Sequence, residues 1–280
     1  MNRLVERFEP ALIRVSTGAA IVAAFACVAA GAPLPVFLRL VITVVALSFW
    51  PGAMLLRFFL VDREIEAPGR LAASFFLGLG LACAVALAGH ALHFDFAVAL
   101  WILPLFGLAL ACVRPSRPVE RPEPRSMLPW TLLGLWIVLI GALAGSLGAP
   151  LMMDTDSPDH IATVRRIADS RVVFPTDAFF ADAGVHGADP RKGLYHAWVA
   201  MVVRAAHVDP VDAWRWLPVL LIPVFLLAVA AFTLALTRSR MSALVAAVLF
   251  PLLYGGGLGG TELREAVYST RVGEIAALLS

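Results

Sequence analysis

Asp154 and Asp156 stand one residue apart in the run Met152-Met153-Asp154-Thr155-Asp156-Ser157-Pro158-Asp159-His160. Two carboxylates at that spacing can share a divalent cation, and Mg2+ (or Mn2+) is commonly held by one or two carboxylates plus phosphate oxygens. Either could instead be a general base toward an acceptor hydroxyl. Ser157 before Pro158 reads as a helix start, with serine at the N-cap and proline at the first helical position. The N–H groups and dipole of that helix would keep both aspartates ionised. The plainer alternative is a pair of solvated loop acids and helix caps.

Further polar residues follow. Ile161, Val164 and Ile167 recur at helical spacing, with Arg165, Arg166 and Asp169 off that face, which predicts a short amphipathic helix lying on a membrane surface. In Asp189-Pro190-Arg191-Lys192-Gly193-Leu194-Tyr195-His196, the two cations precede an apolar stretch from Leu194 to Ala206. They could hold a phosphate at a helix N-terminus or simply snorkel. The apolar stretch is short for a span and predicts an interfacial or re-entrant helix. Arg215, in Trp214-Arg215-Trp216-Leu217-Pro218, is either a functional charge or an interface marker between belt tryptophans. The candidate site therefore comprises Asp154 and Asp156 as catalytic or metal-binding groups. His160, Arg165, Arg191, Lys192, Tyr195, His196 and Arg215 are its substrate-binding candidates.

Other patterns carry less. Gly255 to Gly260 formally contains G-x-G-x-x-G, but after an apolar helix rather than a strand it reads as a loop. Glu262, Arg264, Glu265 and Arg271 could face the same site as Asp154. His90 and His93 could share a metal or sit solvated at an interface. Gly141 and Gly145 form G-x-x-x-G, a pattern for close helix packing. The three cysteines, Cys27, Cys83 and Cys112, all lie in apolar runs and read as small hydrophobes.

The elements that must position these groups are membrane helices. Hydrophobic residues make up 60% of the chain and charged residues 15%, whereas a soluble domain carries about 25% charged residues. The expected class is an all-α membrane protein of about seven spans plus one or two interfacial helices. The spans are expected near 11–31, 36–61, 70–93, 95–113, 128–148, 213–237 and 241–255, those near 95–113 and 241–255 being short. The first apolar run is long enough to remain a membrane helix rather than a cleaved signal peptide. The Pro- and Arg-rich stretch 114–127 reads as a linker between a four-span unit, 1–113, and a rear unit, 128–280.

Arginine distribution sets the expected orientation. Arg3, Arg7 and Arg14, then Arg57, Arg63 and Arg70, then Arg114 to Arg125, then Arg238 and Arg240 fall on one side if the spans alternate. The connections near 32–35 and 94 carry almost no positive charge. The N-terminus is therefore expected in the cytoplasm and the long loop 149–212 outside. Mixed charge without basic runs argues against a nucleic-acid partner.

The order of these features resembles the GT-C fold glycosyltransferases, which use polyprenyl-phosphate sugars. The resemblance rests on Asp154 and Asp156, the helix from Ile161 to Ile167, the segment Arg191 to His196, and Arg215 to Pro218, within 128–280. It implies a transferase of the bacterial inner membrane and cell envelope, with Asp154 or Asp156 as base or metal ligand. It makes Arg191, Lys192 and Arg215 contacts to the lipid phosphate, and an unknown acceptor the second substrate. Arg191-Lys192-Gly193 departs from the family's K-P-P pattern. The chain would supply only the N-terminal portion of such an enzyme. A transporter, or a non-catalytic subunit assembled with a partner membrane protein, is the competing expectation. Few mid-span charges and no internal repeat weigh against transport.

Overall fold

The computed structural model describes residues 2–59, 65–113, 127–146, 157–173, 193–253 and 269–279, with side chains from residue 12 onward. Ten helices are present among them. They are α1 (Asn2–Ala29), α2 (Val36–Phe59), α3 (Ala67–Leu92), α4 (Phe96–Cys112) and α5 (Leu128–Ser146), followed by α6 (Ser157–Asp169), α7 (Leu194–Ala206), α8 (Pro210–Thr237), α9 (Arg240–Leu253) and α10 (Ser269–Ala277).

The all-α expectation holds, but the span count does not. Five helices are long and apolar enough to cross a bilayer: Leu12–Ala29 within α1, then α2, α3, α5 and α8. The expectation of about seven is corrected to five. The stretches expected at 95–113 and 241–255 form α4, of 17 residues, and α9, of 14 residues. At 1.5 Å per residue they reach only about 25 and 21 Å, short of a hydrocarbon core of about 30 Å.

The chain divides into two compact units, each drawn from several segments. The first comprises 1–63, 74–119 and 162–210, and the second 64–73, 120–161 and 211–280. In the first unit α2 is interrupted by a π-turn, Val45–Phe49. The cause is Pro51, which has no N–H to give the carbonyl four residues back and whose ring crowds it. The chain widens instead, and the Trp50 N–H donates to the Val45 carbonyl. At this point α2 and α3 touch backbone to backbone. A Cβ on Gly52 would overlap the Ser74 carbonyl oxygen, and one on Gly78 would overlap that of Ser48. Each helix thus contributes Ser-x-x-x-Gly, Ser48 with Gly52 and Ser74 with Gly78, the small-residue spacing that lets membrane helices meet closely.

In the second unit α5, α8 and α9 share a core of Leu133, Ala230, Ala243, Leu244 and Ala247. Pro251 leaves the Ala247 carbonyl without its intrahelical donor, and the Trp136 Nε1–H donates to it at 3.3 Å. The start of α9 is tied to the start of α3 and α5 through Glu66. This carboxylate accepts from Arg240 Nε at 2.8 Å and from Trp130 Nε1 at 2.9 Å. Glu66, the start of α5 and the start of α9 therefore lie at one end of the unit.

Gly141 has nothing within 4 Å of a would-be Cβ, and Gly145 meets only Trp216 at 3.8 Å. The G-x-x-x-G of α5 is thus no close crossing among the described residues. Gly52→Ala and Gly78→Ala should each destabilise the detergent-solubilised protein by about 1–3 kcal/mol, the cost of overpacking. Gly141→Ala should change it by less than about 0.5 kcal/mol. Thermal denaturation of the three variants checks this; equal effects would remove the crossing from the account.

Candidate functional site

The second unit holds the polar group nearest in sequence to the paired aspartates. α6 begins at Ser157, which is fully buried although it is a serine. Its Oγ accepts from Trp214 Nε1 at 3.2 Å, and Trp214 is itself fully buried. The His160 ring stacks on the same indole, with centroids 5.4 Å apart and planes 25° from parallel. One tryptophan thus fixes the first turn of α6 through its N–H and through its face.

Trp214 lies in the second turn of α8, which begins at Pro210 and carries Asp212 in its first turn, the residue types that suit a helix start. Arg215 follows Trp214. Its guanidinium stands 4.0 Å from an Asp212 carboxylate oxygen, while its sheltered Nε makes no hydrogen bond among the described residues. The dipole at the start of α6 favours negative charge, and Arg215, next to Trp214 in α8, adds a guanidinium to the helix that holds it. Asp154, Asp156, Arg191 and Lys192 lie outside the described residues, as do Gly255 to Gly260, Glu262, Arg264 and Glu265.

The first unit takes the remaining sequence candidates and separates them. Arg165 makes a bidentate pair with Asp209, at 2.9 and 2.8 Å, with both side chains about half exposed. Asp209 lies just past the C-terminal end of α7. Tyr195 and His196 occupy the first turn of that helix, about 15–18 Å away along it. Arg165 therefore shares no site with Tyr195 and His196. Tyr195 packs against Trp198, with rings 5.5 Å apart.

Three residues without a sequence signal do much of the positioning. Arg204 donates to the carbonyls of Ala168 and Ser170, at 3.2 and 2.7 Å, and lies 4.5 Å over the Phe96 ring. Arg39 donates to the carbonyls of Ala206 and His207, at 2.9 and 2.6 Å. Both are cations on the exposed carbonyls of a helix C-terminus, where the dipole favours them. Ser48 accepts from Trp198 Nε1 at 2.9 Å, across 150 residues of chain. Only the closeness of α7 to its own C-terminal arginine offered any clue.

The amphipathic stripe of α6 is as expected, but its cover is not. Ile161, Val164 and Ile167 are at most 7% exposed, so protein rather than lipid covers them. Arg271 pairs with Glu274 at 2.9 Å within α10.

The expected Mg2+ or Mn2+ is corrected. Among the described residues no group of three or more His, Cys, Asp or Glu is placed to hold a metal ion. His90 and His93 approach to 6.5 Å between rings and belong to no such group among the described residues. No family profile matches the chain, and neither a curated protein nor a solved structure is similar to it.

Trp214→Phe keeps the ring under His160 and removes the donor to Ser157, so it should cost about 1 kcal/mol. Arg204→Ala should cost about 1–3 kcal/mol, since it removes charged donors from two carbonyls. Arg165→Ala should cost less than about 1 kcal/mol, because its ion pair is exposed. Denaturant titration in a fixed detergent would rank the three.

Proposed function

We propose that this multi-pass membrane protein is a glycosyltransferase that moves a sugar from a polyprenyl-phosphate donor to an acceptor hydroxyl on the non-cytoplasmic side. One observation carries the reading: Trp214 holds the first turn of α6 to the second turn of α8 through Ser157 and His160. That contact joins the helix that follows Asp154-Thr155-Asp156 to the residue that precedes Arg215 to Pro218, two of the four stretches on which the resemblance rests.

The orientation follows from charge. Glu66 brings the starts of α3, α5 and α9 to one end of the second unit, and Arg70, Arg238 and Arg240 in those segments assign that end to the cytoplasm by the positive-inside rule. In the first unit, the Phe96 N–H donates to the Arg171 carbonyl and His207 Nε2 bonds the Ala29 carbonyl at 2.8 Å. The ends of α6 and α7 thus lie with the arginine-poor turns near 32–35 and 94, the side proposed as external.

In this mechanism the acceptor oxygen attacks the anomeric carbon and the bond to the phosphate oxygen breaks. Asp154 or Asp156 takes the acceptor's proton. Arg215, with Arg191 and Lys192, stabilises the charge that builds on the leaving phosphate. His160, held by its stack, presents a ring nitrogen to a sugar or acceptor hydroxyl.

The test uses the full-length protein in lipid nanodiscs with a panel of polyprenyl-phosphate sugars, following release of polyprenyl phosphate. Asp154→Ala and Asp156→Ala should each reduce release at least about 100-fold, the scale of a lost general base, with expression and thermal stability unchanged. His160→Ala should reduce it less. Full activity in both aspartate variants, or no release from any donor, would end the proposal.

A further inference from the structure

Two sheltered polar atoms of α2 are left over from the packing of the first unit. α2 is a candidate span, Val36–Phe59, and Arg39 lies within it. An ionisable residue inside a span calls for a named partner. Arg39 Nη1 has one, in the Ala206 and His207 carbonyls at the end of α7. Arg39 Nε has none: it is shielded from solvent and makes no hydrogen bond among the described residues. The guanidinium also makes no ion pair among them, and Asp209, two residues past His207, is engaged by Arg165.

Thr43 stands one turn further along α2, on the same face as Arg39. It is fully buried, and its hydroxyl makes no hydrogen bond among the described residues. A helical threonine commonly turns its hydroxyl to the carbonyl three or four residues back. That bond is not made here. Helical side chains lean toward the N-terminus, so the hydroxyl leans toward the turn that carries Arg39. Unmet polar groups are costly in apolar surroundings, and a water or an ion is their usual complement. Charge decides between the two. Arg39 Nε can only donate, the Thr43 hydroxyl can donate, and the two carbonyls offset the guanidinium charge only in part. The positive end of the α2 dipole lies within a turn and adds to the preference for an anion. Both atoms are sealed from solvent, which suits a single-atom anion better than a phosphate or carboxylate group.

We propose that Arg39 and Thr43 form a binding site for a small monatomic anion, chloride, held between the Nε–H of one and the hydroxyl of the other. The ion completes the hydrogen bonding of α2 beside the end of α7 and balances the charge of Arg39. The site uses none of the residues to which the transfer reaction is assigned, so it stands whether or not that reading survives.

The test is thermal denaturation of the full-length protein in neutral phosphatidylcholine nanodiscs. The salts are sodium chloride, bromide, gluconate and sulfate, at one ionic strength so that screening is equal. A saturable rise of Tm with chloride and bromide is expected, because an ion that binds only the folded state stabilises it. Gluconate and sulfate should give no such rise. Thr43→Val keeps the shape of the side chain and removes the hydroxyl. It should weaken the halide response at least about tenfold, the scale of a hydrogen bond to a charged group. In gluconate the same variant should be no less stable than the parent, since it loses only an unmet hydroxyl. Arg39→Lys should weaken the response as well, and Thr43→Val keeps the test decisive if that variant folds poorly. Equal Tm values in all four salts overturn the proposal, and so does a halide response that Thr43→Val leaves intact. Asp154→Ala and Asp156→Ala should not change the response, which separates failure here from failure of the transferase reading.

Discussion

The backbone contact between α2 and α3 governs the first unit. Ser48, Gly52, Ser74 and Gly78 let the two helices meet where any larger residue would collide with a carbonyl oxygen. Pro51 makes the same place irregular by forcing the π-turn before it. Together they set the Ser48 hydroxyl where it can accept from Trp198, and that bond keeps α7 inside the bundle. Trp198, fully buried, also packs edge-on against Phe75 of α3 at 5.8 Å. A shift of α2 against α3 would therefore be felt at once by α7.

Apolar surroundings explain how the cations are used. In water an arginine on a helix terminus is worth a few tenths of a kcal/mol to about 1 kcal/mol. Here Arg39 and Arg204 each donate to two carbonyls at helix ends. Arg240 shares Glu66 with Trp130 and lies 5.7 Å over the same indole. These residues satisfy backbone and carboxylate groups that lipid could not satisfy. Arg215 differs, since its guanidinium only approaches Asp212, at 4.0 Å, and its sheltered Nε makes no hydrogen bond among the described residues. That difference keeps it among the candidates for function, whereas Arg165 is engaged by Asp209.

The two polar regions differ in character. Around Trp214 the groups are mixed: a hydroxyl, an imidazole, a carboxylate and a guanidinium, suited to proton transfer and to hydroxyl-rich ligands. The first turn of α7 instead buries a phenol and an imidazole, Tyr195 and His196. Each arrangement follows from a helix start held in place by a tryptophan, Trp214 in one case and Trp198 in the other. An indole can fill an apolar space while its one N–H meets a serine.

Much of this was legible in the residues alone. Membrane insertion follows from a 60% hydrophobic chain, because such a surface cannot be covered in water. The start of α6 at Ser157 follows from serine before proline, and its buried stripe from the spacing of Ile161, Val164 and Ile167. All of these are local or one-dimensional signals. Span number was less legible, since an apolar run does not say where helix ends, and α4 and α9 stop short of a membrane's thickness. The glycines show the limit most clearly. Gly141-x-x-x-Gly145 has the familiar spacing and no close neighbour at Gly141, whereas Ser48-x-x-x-Gly52 and Ser74-x-x-x-Gly78 make the close contact. A spacing places small residues on one face of a helix, but only the fold decides which face meets another helix. For the same reason the sequence placed Arg165 with Tyr195, and tertiary structure put them at opposite ends of α7.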